Sequence, residues 1–257
     1  MRRFNFTGRK FNAKIAGVEY RNTTTVHGKI SPAMRPITKI FLLIVVAFVV
    51  YLLWPRTPSL KNFDPAALAN LSVKTWEAEK AHKGFDALMD RYQIYTSQYH
   101  FSPVAAFRMA QSQGAAISSM ANAKQSGGDP GSDDQAVHAF TEKFTFWKTD
   151  ARANIDPDSI ARDEVAWRSM EMDGSSKPEE IAAPLTRVLA AIYGGSPADF
   201  TDVANELVDA RGMILGNQTS DGADPRAEAQ VKAQDAFKLL HDIALTPPAT
   251  QDNAQQN

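Results

Sequence analysis

Apolar residues are distributed unevenly along this chain. From Ile40 to Trp54 every position is apolar or aromatic: Ile-Phe-Leu-Leu-Ile-Val-Val-Ala-Phe-Val-Val-Tyr-Leu-Leu-Trp. Adding Ile37, Thr38 and Lys39 makes eighteen residues, which as a helix rise roughly 27 Å, close to the lower limit for a hydrocarbon core of about 30 Å. The pattern predicts a transmembrane helix over 37–54. Lys39 can snorkel to the headgroups, Tyr51 and Trp54 suit the opposite interface, and Pro55 ends the helix. A buried core helix would show one polar face, and this run has none. A cleaved signal peptide expects a short basic leader and a small-residue cleavage site. Here 39 residues lead up to the run and Trp-Pro-Arg-Thr-Pro closes it.

Beyond Pro55 the period changes to that of amphipathic helices. Phe85, Leu88, Tyr92 and Tyr95 recur at helical spacing, as do Val137, Phe140, Phe144 and Trp147. Helices are predicted at 65–82, 85–99, 103–123, 134–149, 157–172, 178–193, 197–215 and 226–245, with a kink or late start at Pro184. Asp64-Pro65, Ser102-Pro103, Asp156-Pro157 and Ser196-Pro197 each place a capping side chain before a proline at the first helical position. No sustained alternating run argues for a sheet. The segment from Thr246, rich in Pro, Gln and Asn, is expected to be disordered.

These starts recur in register. Asn62-Phe63-Asp64-Pro65 returns as Asn154-Ile155-Asp156-Pro157, 92 residues later, with Leu68, Ala69 and Val73 matching Ile160, Ala161 and Val165. Tyr99-x-x-Ser102-Pro103 returns as Tyr193-x-x-Ser196-Pro197, 94 residues later. The expected organisation is all-α: the transmembrane helix, a linker over 55–62, and two repeated four-helix units at 63–150 and 151–245 packed as one bundle. Trp76, Trp147 and Trp167 are the expected anchors of its core.

Charge adds topology. Nine of the 28 basic residues and one of the 29 acids fall in residues 1–39, leaving 19 against 28 beyond. Lys29, Arg35 and Lys39 before the apolar run outweigh Arg56 and Lys61 after it, which favours a cytoplasmic N-terminus. The expected location is a bacterial inner membrane, with the main domain outside, periplasmic for a Gram-negative source. The basic tail at 1–36 interleaves charge with Phe4, Phe6, Phe11, Val18 and Tyr20. It reads first as a topology determinant, and otherwise as a hairpin turned by Gly8 or an arm on anionic lipid. With no cysteine, disulfides, thiolate metal sites and cysteine nucleophiles are excluded.

Three features are candidates for chemistry. Glu79-x-x-His82 has the helical spacing of a metal-ligand pair, but the second copy a dimetal bundle needs is missing; a surface pair is the simpler reading, and no metal or cofactor is expected. Asp163, Glu164 and Trp167 put acids beside an indole and form the candidate ligand or partner contact. Ordinary core packing of Trp167, with the acids favouring the start of a helix, is the rival. The small-residue helix Ala105–Ala123, with Gly114 at its middle, reads as close packing. No P-loop, dinucleotide fingerprint, nucleophile elbow or HExxH motif occurs.

At the paired Asp-Pro and Tyr-x-x-Ser-Pro starts, the chain resembles an uncharacterised family of bacterial all-helical proteins in which each half opens with a helix carrying Glu-x-x-(aromatic or Met)-Trp. This chain has Ser72, Thr75 and Trp76 in the first half and Glu164, Trp167 and Arg168 in the second, so each half departs from the pattern. The resemblance spans about residues 63 to 215; it implies an all-α fold and no established activity. The leading functional expectation is a membrane-anchored interaction or structural protein of the cell envelope. Its partners would be the bilayer and another membrane or envelope protein, with no nucleic acid. A ligand-binding or sensory domain with a pocket between the two units is the alternative, and a metal-dependent enzyme the second.

Overall fold

The computed structural model describes residues 36–53, 56–216 and 224–246. The expectations for the basic tail before Pro36, for Trp54 and Pro55, and for the segment after Thr246 lie outside these residues. Among the described residues the chain is all-helical, with nine α-helices and no strand.

Helix α1 spans Pro36–Leu53, and its side chains from Ile40 to Tyr51 stand exposed. Among the described residues no helix is long and apolar enough to cross a membrane, which corrects the expectation of a span over 37–54. Within α1 the apolar stretch after Lys39, Ile40–Leu53, rises about 21 Å, against a hydrocarbon core of about 30 Å.

The remaining helices belong to one compact unit. They are α2 (Pro65–Lys80), α3 (Gly84–Gln93), α4 (Pro103–Gln125), α5 (Asp134–Thr149), α6 (Pro157–Asp173), α7 (Pro178–Tyr193), α8 (Thr201–Leu215) and α9 (Pro225–Leu245). Each packs on the next, and α9 returns to pack on α2, so the eight close into a ring. Closure lets every apolar stripe find cover on both sides, which an open row of four helices cannot provide.

The starts obey the capping rules. Asp64 accepts hydrogen bonds from the Ala66 and Ala67 amides at 2.9 and 3.2 Å, Ser102 from Ala105 at 3.3 Å, and Asp156 from Asp158 at 3.2 Å. Ser196-Pro197 instead opens a 3₁₀ turn, Pro197–Phe200, before α8 begins. Pro184 neither delays nor ends α7, which runs from Pro178 to Tyr193 with Pro184 buried. Gly174 closes α6 at φ 72°, a left-handed position that glycine occupies without a Cβ clash.

The core is one contiguous cluster, with Phe101, Phe140, Phe144 and Phe200 fully enclosed. Trp147 and Trp167 are buried in it, and Trp76 packs against it half-buried. Of the stripe expected on α3, Leu88, Tyr92 and Tyr95 pack on the core and Phe85 does not. Phe85 is 72% exposed, and the buried positions on that helix are Ala87 and Arg91. A guanidinium thus occupies a core position, and this leads to the site.

Candidate functional site

A cavity of about 200 Å³ lies inside the ring, lined by side chains from all eight helices α2–α9. One part of its wall is apolar, with Leu68, Leu185, Val188, Leu189 and Leu240; the other is aromatic and charged. Helix α3 ends in a π-helical turn, Ile94–Gln98, a wide turn of the kind that recurs at functional sites. It brings Tyr95 to the cavity, where its hydroxyl donates to Gln113 Oε1 at 2.5 Å.

Six charged side chains line this wall, and a seventh, Glu171, joins them through Arg211. Glu79 Oε1 accepts from Arg91 Nη2 at 2.5 Å. Its other oxygen lies 2.9 Å from Arg211 Nη2, an ion-pair contact rather than an aligned hydrogen bond. The Nε of Arg211 sits 2.8 Å from both oxygens of Glu171. Around Glu164, Arg168 donates through Nε at 3.0 Å and approaches through Nη2 at 2.9 Å, while Trp167 Nε1 donates to the other oxygen at 3.1 Å. Lys143 Nζ stands 3.8 Å from Glu164 and 4.4 Å from the centre of the Phe144 ring. Arg211 also faces the indoles of Trp76 and Trp167 at 5.8 and 5.6 Å, and Arg168 faces Trp167 at 4.3 Å.

Burial and charge pull these groups in opposite directions. Burial pushes the Glu79 carboxyl up, but Arg211, Arg91 and Arg168 outweigh it and hold its pKa at about 2. Burial likewise opposes ionisation of Glu164, and Lys143 and Arg168 overcome it, again to about 2. For Lys143 burial wins: its pKa falls to about 8, with Glu164 resisting and Arg168 and Arg91 adding to the drop. Buried charges of this kind are tolerated when they are paired, and here Glu79 and Glu164 each meet two cations while Lys143 and Arg91 each meet one carboxylate.

The arrangement follows the sequence register. Glu171 stands 92 residues after Glu79, the offset between Asp64 and Asp156, and Arg211 holds both. Tyr99 and Tyr193, 94 residues apart, meet with their hydroxyls 3.3 Å from one another. One matched pair, Tyr99 and Tyr193, therefore meets at the cavity, and the other is joined through Arg211.

Of the residues singled out from sequence, Glu164 and Trp167 line the cavity and bond each other. Asp163 does not join them; it lies on the outer side of α6, paired with Arg187 Nη2 at 2.6 Å. The pair Glu79 and His82 is split. Glu79 faces the cavity, whereas His82 lies past the end of α2, exposed, at φ 55°. Among the described residues no three His, Cys, Asp or Glu side chains gather as metal ligands would. Sequence reasoning missed Arg91, Lys143 and Arg211. The signal was present: Lys143 falls between Phe140, Phe144 and Trp147 on the apolar stripe of α5, and Arg211 follows Leu207 and Val208 on that of α8. A charge inside an apolar stripe marks a buried partner.

Gly114 has a more specific role than helix packing. A Cβ there would stand 3.3 Å from Arg91 Nη1, so its bare backbone leaves room for the guanidinium. No protein-family model, no curated protein and no solved structure matches this chain, so the resemblance noted above is carried by its sequence motifs alone.

Proposed function

We propose that this protein is a membrane-anchored receptor that holds a small ligand in a cavity at the seam between two duplicated four-helix units. The single observation that carries the reading is the cavity itself: about 200 Å³, ringed by eight helices and walled by three tryptophans and a buried ion cluster. An apolar cavity of about 150 Å³ is enough for benzene, so this one suits a compact molecule of roughly ten heavy atoms. Burying seven charges costs far more than an apolar core, and recognition of a polar ligand is a function that offsets such a cost. Duplication is supported by the matched capping residues, by the meeting of Tyr99 with Tyr193 at the cavity and by the joining of Glu79 with Glu171 through Arg211.

Anchoring rests on α1. Its exposed apolar side chains have a natural cover in lipid, and the basic residues before it favour a cytoplasmic N-terminus with the bundle outside. A helix of this length is accommodated by local thinning of the bilayer. In alkaline carbonate extraction of expressing cells the full chain should stay with the membrane pellet. Release into the supernatant would remove the anchor from the reading.

Ligand binding is tested on the full chain in detergent with a fragment library read by thermal shift. Binding raises the melting temperature as the free ligand exceeds Kd. A subset of fragments should raise it, and Leu185→Trp, which fills the cavity, should abolish those shifts. If no fragment acts on the native chain, or if the same fragments act equally on Leu185→Trp, the cavity is not a binding site.

The envelope-interaction reading retains one supporting observation. Phe85 and Met89 are exposed one helical turn apart on α3, as are Val104 and Phe107 on α4. These small patches suit a partner contact that reports the state of the cavity.

A further inference from the structure

The ion cluster is unbalanced. Arg91, Lys143, Arg168 and Arg211 bring four positive charges, and Glu79, Glu164 and Glu171 three negative ones. Lys143, with its pKa at about 8, remains protonated at neutral pH. One positive charge is therefore left over among the described residues of the cluster, on cationic side chains that are each at least nine-tenths buried, where an unmatched charge is costly. Among the cavity-lining side chains, buried donors without a hydrogen-bond partner outnumber such acceptors three to one, the one acceptor being Glu79 Oε2, which has Arg211 Nη2 at 2.9 Å. Arg91 Nε, Arg168 Nη1 and Trp147 Nε1 have no acceptor among the described residues, and each belongs to a side chain at least nine-tenths buried that lines the cavity. Two of the three lie close to Lys143: its Nζ is 5.6 Å from the Trp147 ring, and Arg168 shares Glu164 with it.

We infer that the cavity takes a small organic monoanion, a carboxylate on a compact aromatic or branched apolar body, with the carboxylate beside Lys143, Arg91, Arg168 and the Trp147 N–H. This rests on the receptor reading above and specifies its ligand. A single negative charge matches the surplus; a neutral ligand leaves it unmatched, and a dianion reverses it. Guanidinium and indole donors suit the planar, two-oxygen geometry of a carboxylate. The opposite wall of Leu68, Leu185 and Val188 is wasted on an inorganic ion but covers an apolar body.

The test uses the full chain in detergent, with tryptophan fluorescence and calorimetry as readouts. The probes are benzoate, phenylacetate and isovalerate, their neutral amides, and inorganic phosphate. At least one carboxylate should bind tenfold or more tighter than its own amide and than phosphate. Lys143→Met, if its helical circular dichroism is native, should lose at least tenfold in carboxylate affinity while the amide is unaffected. The comparison of carboxylate with amide on the native chain stands even if that variant does not fold. Amides that bind as tightly as the acids would overturn the anion assignment and leave the receptor reading in place. Phosphate binding as tightly as the carboxylates would overturn the organic ligand. Failure of all three carboxylates at millimolar concentration also overturns this inference; only failure of the wider fragment screen removes the receptor itself.

Discussion

Helices α2 and α6 begin alike and end differently. Both start with an aspartate cap and a proline, and both bury the same apolar register: Leu68, Ala69 and Val73 on one, Ile160, Ala161 and Val165 on the other. On the turns that face the cavity the chemistry diverges. Where α2 carries Ser72, Thr75 and Trp76, α6 carries Glu164, Trp167 and Arg168. Only Glu79 and Glu171 agree, and those two share Arg211. On these two helices the positions buried in the ring match in apolar character, while most of the polar positions at the cavity differ. A pseudo-symmetric scaffold can thus enclose a one-sided site, because packing constrains volume and periodicity, whereas a polar ligand constrains charge at particular atoms.

The sharpest way to break this comparison is at Arg211, whose counterpart 94 residues earlier is the apolar Ile117. Arg211→Met takes a buried guanidinium away from two carboxylates at once, Glu79 keeping Arg91, so the loss in unfolding free energy belongs at about 3–5 kcal/mol. Ile117→Met, a near volume-conserving swap at a partly buried site, should cost less than about 1.5 kcal/mol. Urea unfolding followed by helical circular dichroism reads both. Equal costs would show that Arg211 is no more than a packing residue.

Acid tests the same cluster without a mutation. Glu79 and Glu164 are held near 2 in the folded chain against an ordinary 4.5. Between those values the unfolded chain binds more protons than the folded one, so lowering the pH favours unfolding. Their contribution should be constant from neutral pH down to about 4.5 and should be lost progressively toward pH 2. In Arg211→Met the acid-dependent loss should be smaller and should end at higher pH, because Glu79 has lost a partner and its folded pKa moves back toward 4.5. A midpoint in urea that does not change between pH 4.5 and 2.5 would contradict the network.

The next comparison is Trp167 against Thr75, which hold matched positions on α6 and α2. Trp167→Ala removes a buried indole and its hydrogen bond to Glu164, and should cost about 3–5 kcal/mol. Thr75→Ala removes a hydroxyl that donates to its own helix at the Leu71 carbonyl, 2.8 Å away, and should cost about 1 kcal/mol or less. Near-equal losses would mean that the asymmetry of the wall carries no energy.

The ring was legible because its causes are local. Asp64-Pro65, Ser102-Pro103 and Asp156-Pro157 set helix starts through contacts within three residues, and the observed boundaries at Pro65, Pro103 and Pro157 follow them. The site was only half legible for the opposite reason. Glu164 and Trp167 stand one turn apart on a single helix, so their pairing shows in the sequence. Arg91, Lys143 and Arg211 come from three other helices, and spacing says nothing of which long-range neighbour a buried cation will meet. Phe85 marks the same limit. Helical periodicity put it on the apolar stripe with Leu88, Tyr92 and Tyr95, and those three pack on the core, but Phe85 at the start of α3 is exposed while Arg91 is buried. For α1 the apolar composition was plain, yet the uninterrupted length within the described helix falls short of a bilayer.

The finest test lies where the two sets of helices meet as equals. Tyr99 and Tyr193 are both buried, and their hydroxyls are each other's partner at 3.3 Å. In Tyr99→Phe or Tyr193→Phe the surviving hydroxyl is left buried without that partner, so each single change should cost about 1 kcal/mol. The double change removes both groups and should cost less than the sum of the two, with the coupling visible in a double-mutant cycle. If the environments of the two rings are equivalent, the single losses will agree within a few tenths of a kcal/mol. Tyr99 packs 5.7 Å from Trp147, whereas Tyr193 packs 6.5 Å from Phe200. A larger loss at Tyr99 would show that the asymmetry of the charged wall reaches the contact where the matched positions meet.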